Sequence, residues 1–246
     1  MKERPILFTG PMVRAILEGR KTVTRRAVKG LQIPTEDKTT PHEGLRWSAL
    51  GQRHLRYGFN VFGSTEEECA HELARCGVCP FGKPGDRLWV RETWTDVNMC
   101  GAPALAYRAD EDIRDLMEEP GFLDDRGAFN YDDPRVKPYP FACWYAELDQ
   151  ARWRPSIHMP RWASRILLEI TSVRVERLQD ISEKQALAEG VHGEPCDHAR
   201  QTCSDIGCWG DTAKGAFGFL WEQLNGAGAW QANPWVWVVE FKRVTP

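Results

Sequence analysis

Four stretches of strand-forming residues lie far apart in this sequence, and only short helical patterns separate them, which limits the folds open to it. Ile6-Leu7-Phe8, Arg87 to Arg91, Ile166 to Leu178 and Trp235 to Phe241 are rich in β-branched and aromatic residues, which suit a pleated, half-buried surface. In the last of them Trp237, Val239 and Phe241 recur with period two and share a face. An irregularity is expected near Thr171-Ser172 in the third. Pro11 opens a short helix in which Met12, Val13, Ile16 and Leu17 share a face, and Gly19 stands where a left-handed terminal residue belongs. Ser182 to Glu189 forms a second, with Ser182 and Gln185 as a capping box and Gly190 as its stop. Phe217, Leu220, Trp221 and Leu224 mark a third, ended by Asn225-Gly226. No strand–helix–strand rhythm appears, so the pattern favours a small mixed α+β barrel with short flanking helices over a doubly wound sheet.

The remainder is organised as excursions. Residues 30–82, 96–150 and 191–212 are rich in Gly, Pro and charge and are expected to be long loop insertions in a single domain spanning 1–246. A hydrophobic content of 42% with 11 Trp supplies a sizeable core. No apolar run approaches the roughly 20 residues a bilayer requires. The N-terminal Met1 to Phe8 does not read as a secretory signal, so a cytoplasmic protein without a membrane partner is expected.

A net charge of −3 conceals an asymmetry. Ten acidic residues between Asp110 and Asp133 are opposed only by Arg114 and Arg126. Two basic clusters stand outside that stretch, one of Arg20, Lys21, Arg25, Arg26 and Lys29, the other of Arg152, Arg154, Arg161 and Arg165. Such clusters are either solvated surface or a phosphate-facing patch, and charge alone does not choose between them.

Eight cysteines in a cytoplasmic chain point to thiols or metal rather than disulfides. Cys196-x-His198-x4-Cys203-x4-Cys208 offers the four ligands a structural zinc needs, and Cys69-x-His71-x4-Cys76-x2-Cys79 offers a second, weaker set. In the second set Glu66 to Arg75 also reads as a helix whose Cys69 and Cys76 face a core. The other reading of both sets is reduced thiols near a histidine. No cofactor is expected in catalysis.

Lys21 and Thr24 sit three apart just after a helix end, among crowded cations that lower a lysine's pKa. A depressed lysine serves as a base, and a threonine hydroxyl is a nucleophile awaiting one. Glu189 ends its helix at the negative pole of the macrodipole, so it is either paired with a lysine, raised in pKa, or merely exposed.

Gly19-Arg20-Lys21-Thr22-Val23-Thr24-Arg25 after a short amphipathic helix resembles the signature of the ASCH family, a branch of the PUA-like superfamily. It is similar to the small bacterial N4-acetylcytidine amidohydrolases of that family in its Gly-x-Lys-x-x-Thr motif at Gly19, Lys21 and Thr24. Gly85-Asp86-Arg87-Leu88, the helix ending in Glu189 and the closing strand Val238-Val239-Glu240-Phe241-Lys242 continue the likeness in order. Phage and prophage proteins of the ASCH class share Pro5-Ile6-Leu7-Phe8, Pro84 to Thr93, Arg154 to Arg161 and Asn233 to Trp237. The resemblance implies a PUA-like barrel, a catalytic set of Lys21, Thr24 and Glu189, and a nucleoside or RNA as partner. Arg25 stands where the amidohydrolases carry an apolar residue. Around that set, Arg20, Arg25, Arg26, Arg91, Glu92, Trp94, Ser156, His158 and Arg161 are candidates for binding base or phosphate. The expected reaction is hydrolysis of an N-acylated cytidine. The alternatives are a non-catalytic RNA or modified-base binding module and, third, a ribonuclease. A phage-encoded member would act in the host cytoplasm.

Overall fold

A computed structural model describes residues 1–51, 58–76, 78–192 and 212–245. In chain order its elements are β1 (Glu3–Leu7), α1 (Gly10–Leu17), β2 (Val23–Ala27), β3 (Thr35–Glu36), β4 (Trp47–Leu50), β5 (Asn60–Gly63), α2 (Glu66–Arg75) and β6 (Arg87–Arg91). There follow β7 (Trp94–Met99), β8 (Ala102–Tyr107), β9 (Ile113–Asp115), β10 (Leu167–Arg177), α3 (Glu183–Ala188), α4 (Ala213–Asn225) and β11 (Trp235–Val244). The fold is mixed α+β, with several sheets and few helices. No helix among the described residues is long and apolar enough to cross a membrane.

Five strands form one sheet in the order β1-β6-β10-β11-β2. The order is open, and no closed barrel is present among the described residues. The strand pattern locates strands but not closure, which depends on hydrogen bonds between first and last strand that no periodicity records. β10 runs as one strand from Leu167 to Arg177.

The chain gathers into two compact units. The first comprises Met1–Arg4, Glu18–Leu88 and Leu168–Val244. Within it β11 pairs antiparallel with β2, from Val236 opposite Ala27 to Glu240 opposite Val23. Strand alternation puts Val23, Ala27, Val236 and Val238 on one face, where they pack with Leu178, Ile181, Ala186, Phe217 and Trp221. The expected excursion at 30–82 carries a sheet of its own, β3-β4-β5, with α2 packed on it through Cys69, Ala70 and Leu73. Thr65 caps α2 by accepting from the Glu68 N–H. The approach is close at Gly63, where a Cβ would lie 2.5 Å from the Cys69 nitrogen. Asp86 begins β6 by accepting hydrogen bonds from the Lys2 N–H and the Arg4 guanidinium, both at 2.9 Å. These hold its carboxyl down at about 2.

α3 is short and depends on its cap. Ser182 Oγ accepts from the Gln185 N–H and Gln185 Oε1 accepts from the Ser182 N–H. Gly190, at φ +84°, turns the chain away in the left-handed region. Ser182→Ala is expected to cost about 1 kcal/mol in urea unfolding. A variant as stable as the parent would show that packing alone holds the helix.

The second unit contains Pro5–Leu17 and Trp89–Leu167. β7 and β8 form a hairpin from Trp94 opposite Tyr107 to Met99 opposite Ala102, and β9 adds to β8. The expected loop at 96–150 thus holds most of a three-stranded sheet. Its core joins Trp94, Leu105, Tyr107, Leu116, Phe122 and Met159. Arg154 closes on Asp96 at 2.8 Å beneath that core.

Candidate functional site

Lys21 and Glu189 meet in the first unit. Their segments are stitched by the Thr22 N–H, which donates to Ala188 O at 2.9 Å. The Glu189 N–H closes the last turn of α3 on Gln185 O and Ala186 O, so its carboxylate is fixed where the helix ends. Lys21 Nζ donates to Val23 O at 2.8 Å, Glu189 O at 2.9 Å and Glu189 Oε2 at 2.6 Å. Three acceptors match the three protons of an ammonium. Lys21 is 2% exposed and Glu189 3%.

A second cation shares the carboxylate. Arg25 donates to Glu189 Oε1 at 3.3 Å and, through its other arm, to Glu176 Oε2 at 3.3 Å. Glu176 also receives Arg174, which reaches Glu240 Oε1 at 2.5 Å. The result is a row of alternating charge from Lys21 to Glu240. Burial pushes the Lys21 ammonium below its usual range, the bond to Glu189 opposes this, and Arg26 and Arg25 add to the depression. Burial is the larger effect, even against a close ion pair.

Thr24 is buried at 2% and lies opposite Val239 in the register. Its side chain leaves β2 on the face opposite Arg25, because successive residues of a strand alternate. Beside the Lys21–Glu189 pair opens a groove of about 420 Å³, lined by Thr22, Val23, Thr171, Lys184, Gln185 and Glu240 among others. Its walls come from neighbours of Lys21 and Glu189 rather than from the pair.

The remaining candidates are scattered. Arg20 is exposed and donates to Glu18, to Gly190 O at 3.1 Å, and lies 3.3 Å from His192 Nε2. Arg26 is half-buried on β2, opposite Trp237. In the second unit, the Arg91 guanidinium covers the Trp89 ring at 4.7 Å. Trp94 is fully buried, edge-on to Tyr139 and Trp162, and offers no ring face to a base. Ser156 and His158 lie in a tight turn with His158 exposed, and Arg161 begins the next.

Glu92 is buried, and its partner is not the adjacent Arg91. Arg165 Nε and NH2 hold its two oxygens at 3.0 Å each. The same guanidinium takes Asp110 Oδ1 at 2.7 Å, Asp110 Oδ2 at 3.0 Å and Asp112 Oδ2 at 2.8 Å, lying over the Tyr107 ring at 4.1 Å. Sequence reasoning missed this cluster. Its only trace was Asp-x-Asp at 110–112 against a distant arginine. Arg154 and Arg165 are therefore each bound to carboxylates of their own unit.

The expected zinc ligands Cys196, His198, Cys203 and Cys208 lie outside the described residues. Among the described residues no group of three or more His, Cys, Asp or Glu is gathered as a metal site. Cys69 and Cys79, in the other set, are buried, and burial pushes both thiols up to about 11. No protein-family model, curated protein or solved structure matches the chain.

Proposed function

We propose that the protein is an amidohydrolase of the PUA-like ASCH type, acting on an N-acylated cytidine such as N4-acetylcytidine and yielding cytidine and acetate. One observation carries the reading. A buried lysine with a depressed ammonium donates at 2.6 Å to a buried carboxylate, at the two positions where the resemblance expects a catalytic lysine and glutamate. A lysine whose ammonium is weakened in this way is suited to giving up and recovering a proton.

In the proposed reaction, neutral Lys21 takes a proton from a water or from the Thr24 hydroxyl. The oxygen so activated adds to the amide carbonyl. As the C–N bond breaks, the leaving N4 amine receives a proton through Glu189, which Lys21 resupplies across their shared hydrogen bond. Where Thr24 attacks, a water then releases acetate from it. Thr24 belongs to the opposite strand face, so Thr24→Val separates the two nucleophiles, with retained turnover favouring the water.

The test is incubation of the purified protein with N4-acetylcytidine, with cytidine release read by chromatography. Lys21→Ala is expected to lower the rate by about 10²–10⁴-fold, the usual worth of a general base. Undiminished release from folded Lys21→Ala would remove the lysine from the mechanism. No release by the folded parent would end the hydrolase reading and direct attention to RNA affinity as a function of salt.

A further inference from the structure

The carboxylate of Glu189 serves two cations whose side chains are both wholly buried. Lys21 Nζ holds Oε2 at 2.6 Å and Arg25 holds Oε1 at 3.3 Å. In a medium of low dielectric one negative charge does not neutralise two positive ones. A guanidinium keeps its proton in a protein, whereas an ammonium can release one. The excess positive charge therefore acts on the Lys21 proton.

The surrounding charges leave that excess in place. At the end of α3 stands Glu189, and on β2 stand Arg25 and Arg26, both of which repel the ammonium. On β10, Glu176 is divided between Arg25 and Arg174. On β11, Glu240 receives Arg174 and is 43% exposed. The last compensating charge of the row thus stands where water screens it, far along from the buried end.

We propose that Arg25 is a positioning residue of the Lys21–Glu189 pair, turning Oε2 toward the ammonium and, by drawing on the same negative charge, making Lys21 the group that releases and recovers a proton. The step balances. Lys21 passes one proton to solvent and becomes a neutral amine, and the lone pair so freed accepts one proton from the attacking oxygen. The inference rests on the reading of Lys21 as a base, but its test needs no substrate.

The experiment is a pH titration of the Lys21 side chain by heteronuclear NMR, with its resonance assigned through Lys21→Met. In the parent, Lys21 titrates below the exposed lysines. Arg25→Met raises the midpoint by about one unit, a tenfold gain in proton affinity. Arg25→Lys keeps the charge and leaves the midpoint low. Glu176→Gln removes the half-buried carboxylate behind Arg25 and lowers the midpoint further, and it serves if Arg25→Met does not fold. A midpoint unmoved by Glu176→Gln and by whichever Arg25 variant folds without charge overturns the inference. Cytidine release by a protein with such an unmoved midpoint would sink the inference and leave the hydrolase standing. An Arg25-sensitive midpoint in a protein that releases no cytidine would uphold Arg25 as the tuning group and sink the hydrolase.

Discussion

Glu189→Ala is expected to lower the unfolding free energy by about 3–5 kcal/mol, because it leaves two buried cations without their carboxylate. Lys21 would lose one of its three acceptors and Arg25 would keep only Glu176. The opposite deletion is milder. Lys21→Ala leaves Glu189 held by Arg25, so its charge remains compensated. The asymmetry is the diagnostic, and urea unfolding of both variants reads it directly. The double variant should be less damaged than the two losses summed, since the residues share one bond. A Glu189→Ala protein within about 1 kcal/mol of the parent would mean that water reaches the pair and that the charge is not buried.

Arg165→Ala should produce a loss of similar size in the second unit, again about 3–5 kcal/mol, since it strands buried Glu92 beside Asp110 and Asp112. Arg165→Lys should recover little of it. The guanidinium uses five donors in one plane, and an ammonium has three in another geometry. The pH dependence has a definite sign. Burial raises the Glu92 carboxyl above its ordinary value, with Asp110 and Asp112 adding and Arg165 opposing. A carboxyl raised on folding contributes stability that is present below its unfolded value and is lost as pH rises through the folded one. Without Arg165 the opposing interaction disappears and the shift grows. The deficit of Arg165→Ala should therefore shrink as pH falls from neutrality toward the ordinary glutamate value of about 4.3. Denaturant midpoints at pH 7.5 and pH 5 decide it, and a deficit independent of pH would assign the loss to packing over Tyr107 instead.

Much of the local architecture was legible because it is written in local chemistry. The capping box at Ser182 and Gln185, the left-handed glycines after α1 and α3, and the Trp/Val-rich run of β11 each depend on residues within a few positions of one another. The same holds for α2, which spans the expected residues Glu66 to Arg75. The three-stranded sheets were not legible. Ala102 to Tyr107 is buried on both faces and is mostly Ala and Pro, so it has neither the alternation of a half-buried strand nor the β-branched and aromatic content that made β11 readable. The site was legible in part. Of the readings open for Glu189, pairing with a lysine is the one the coordinates display. What escaped was sharing. That Arg25 would be wholly buried on the same carboxylate, or that Arg165 would gather three acids from two segments, depends on contacts across the sequence that no motif encodes.

The pairing of β2 with β11 sets a schedule for synthesis. Ala27 emerges from a ribosome long before its partner Val236, about 10–40 s earlier at ordinary elongation rates. Throughout that interval the Val-Thr-Arg-Arg-Ala segment has neither its ladder nor the hydrophobic face that covers Val23 and Ala27. Its two arginines would then act as gatekeepers, charges that discourage a waiting strand from pairing with a neighbouring nascent chain before its own partner arrives.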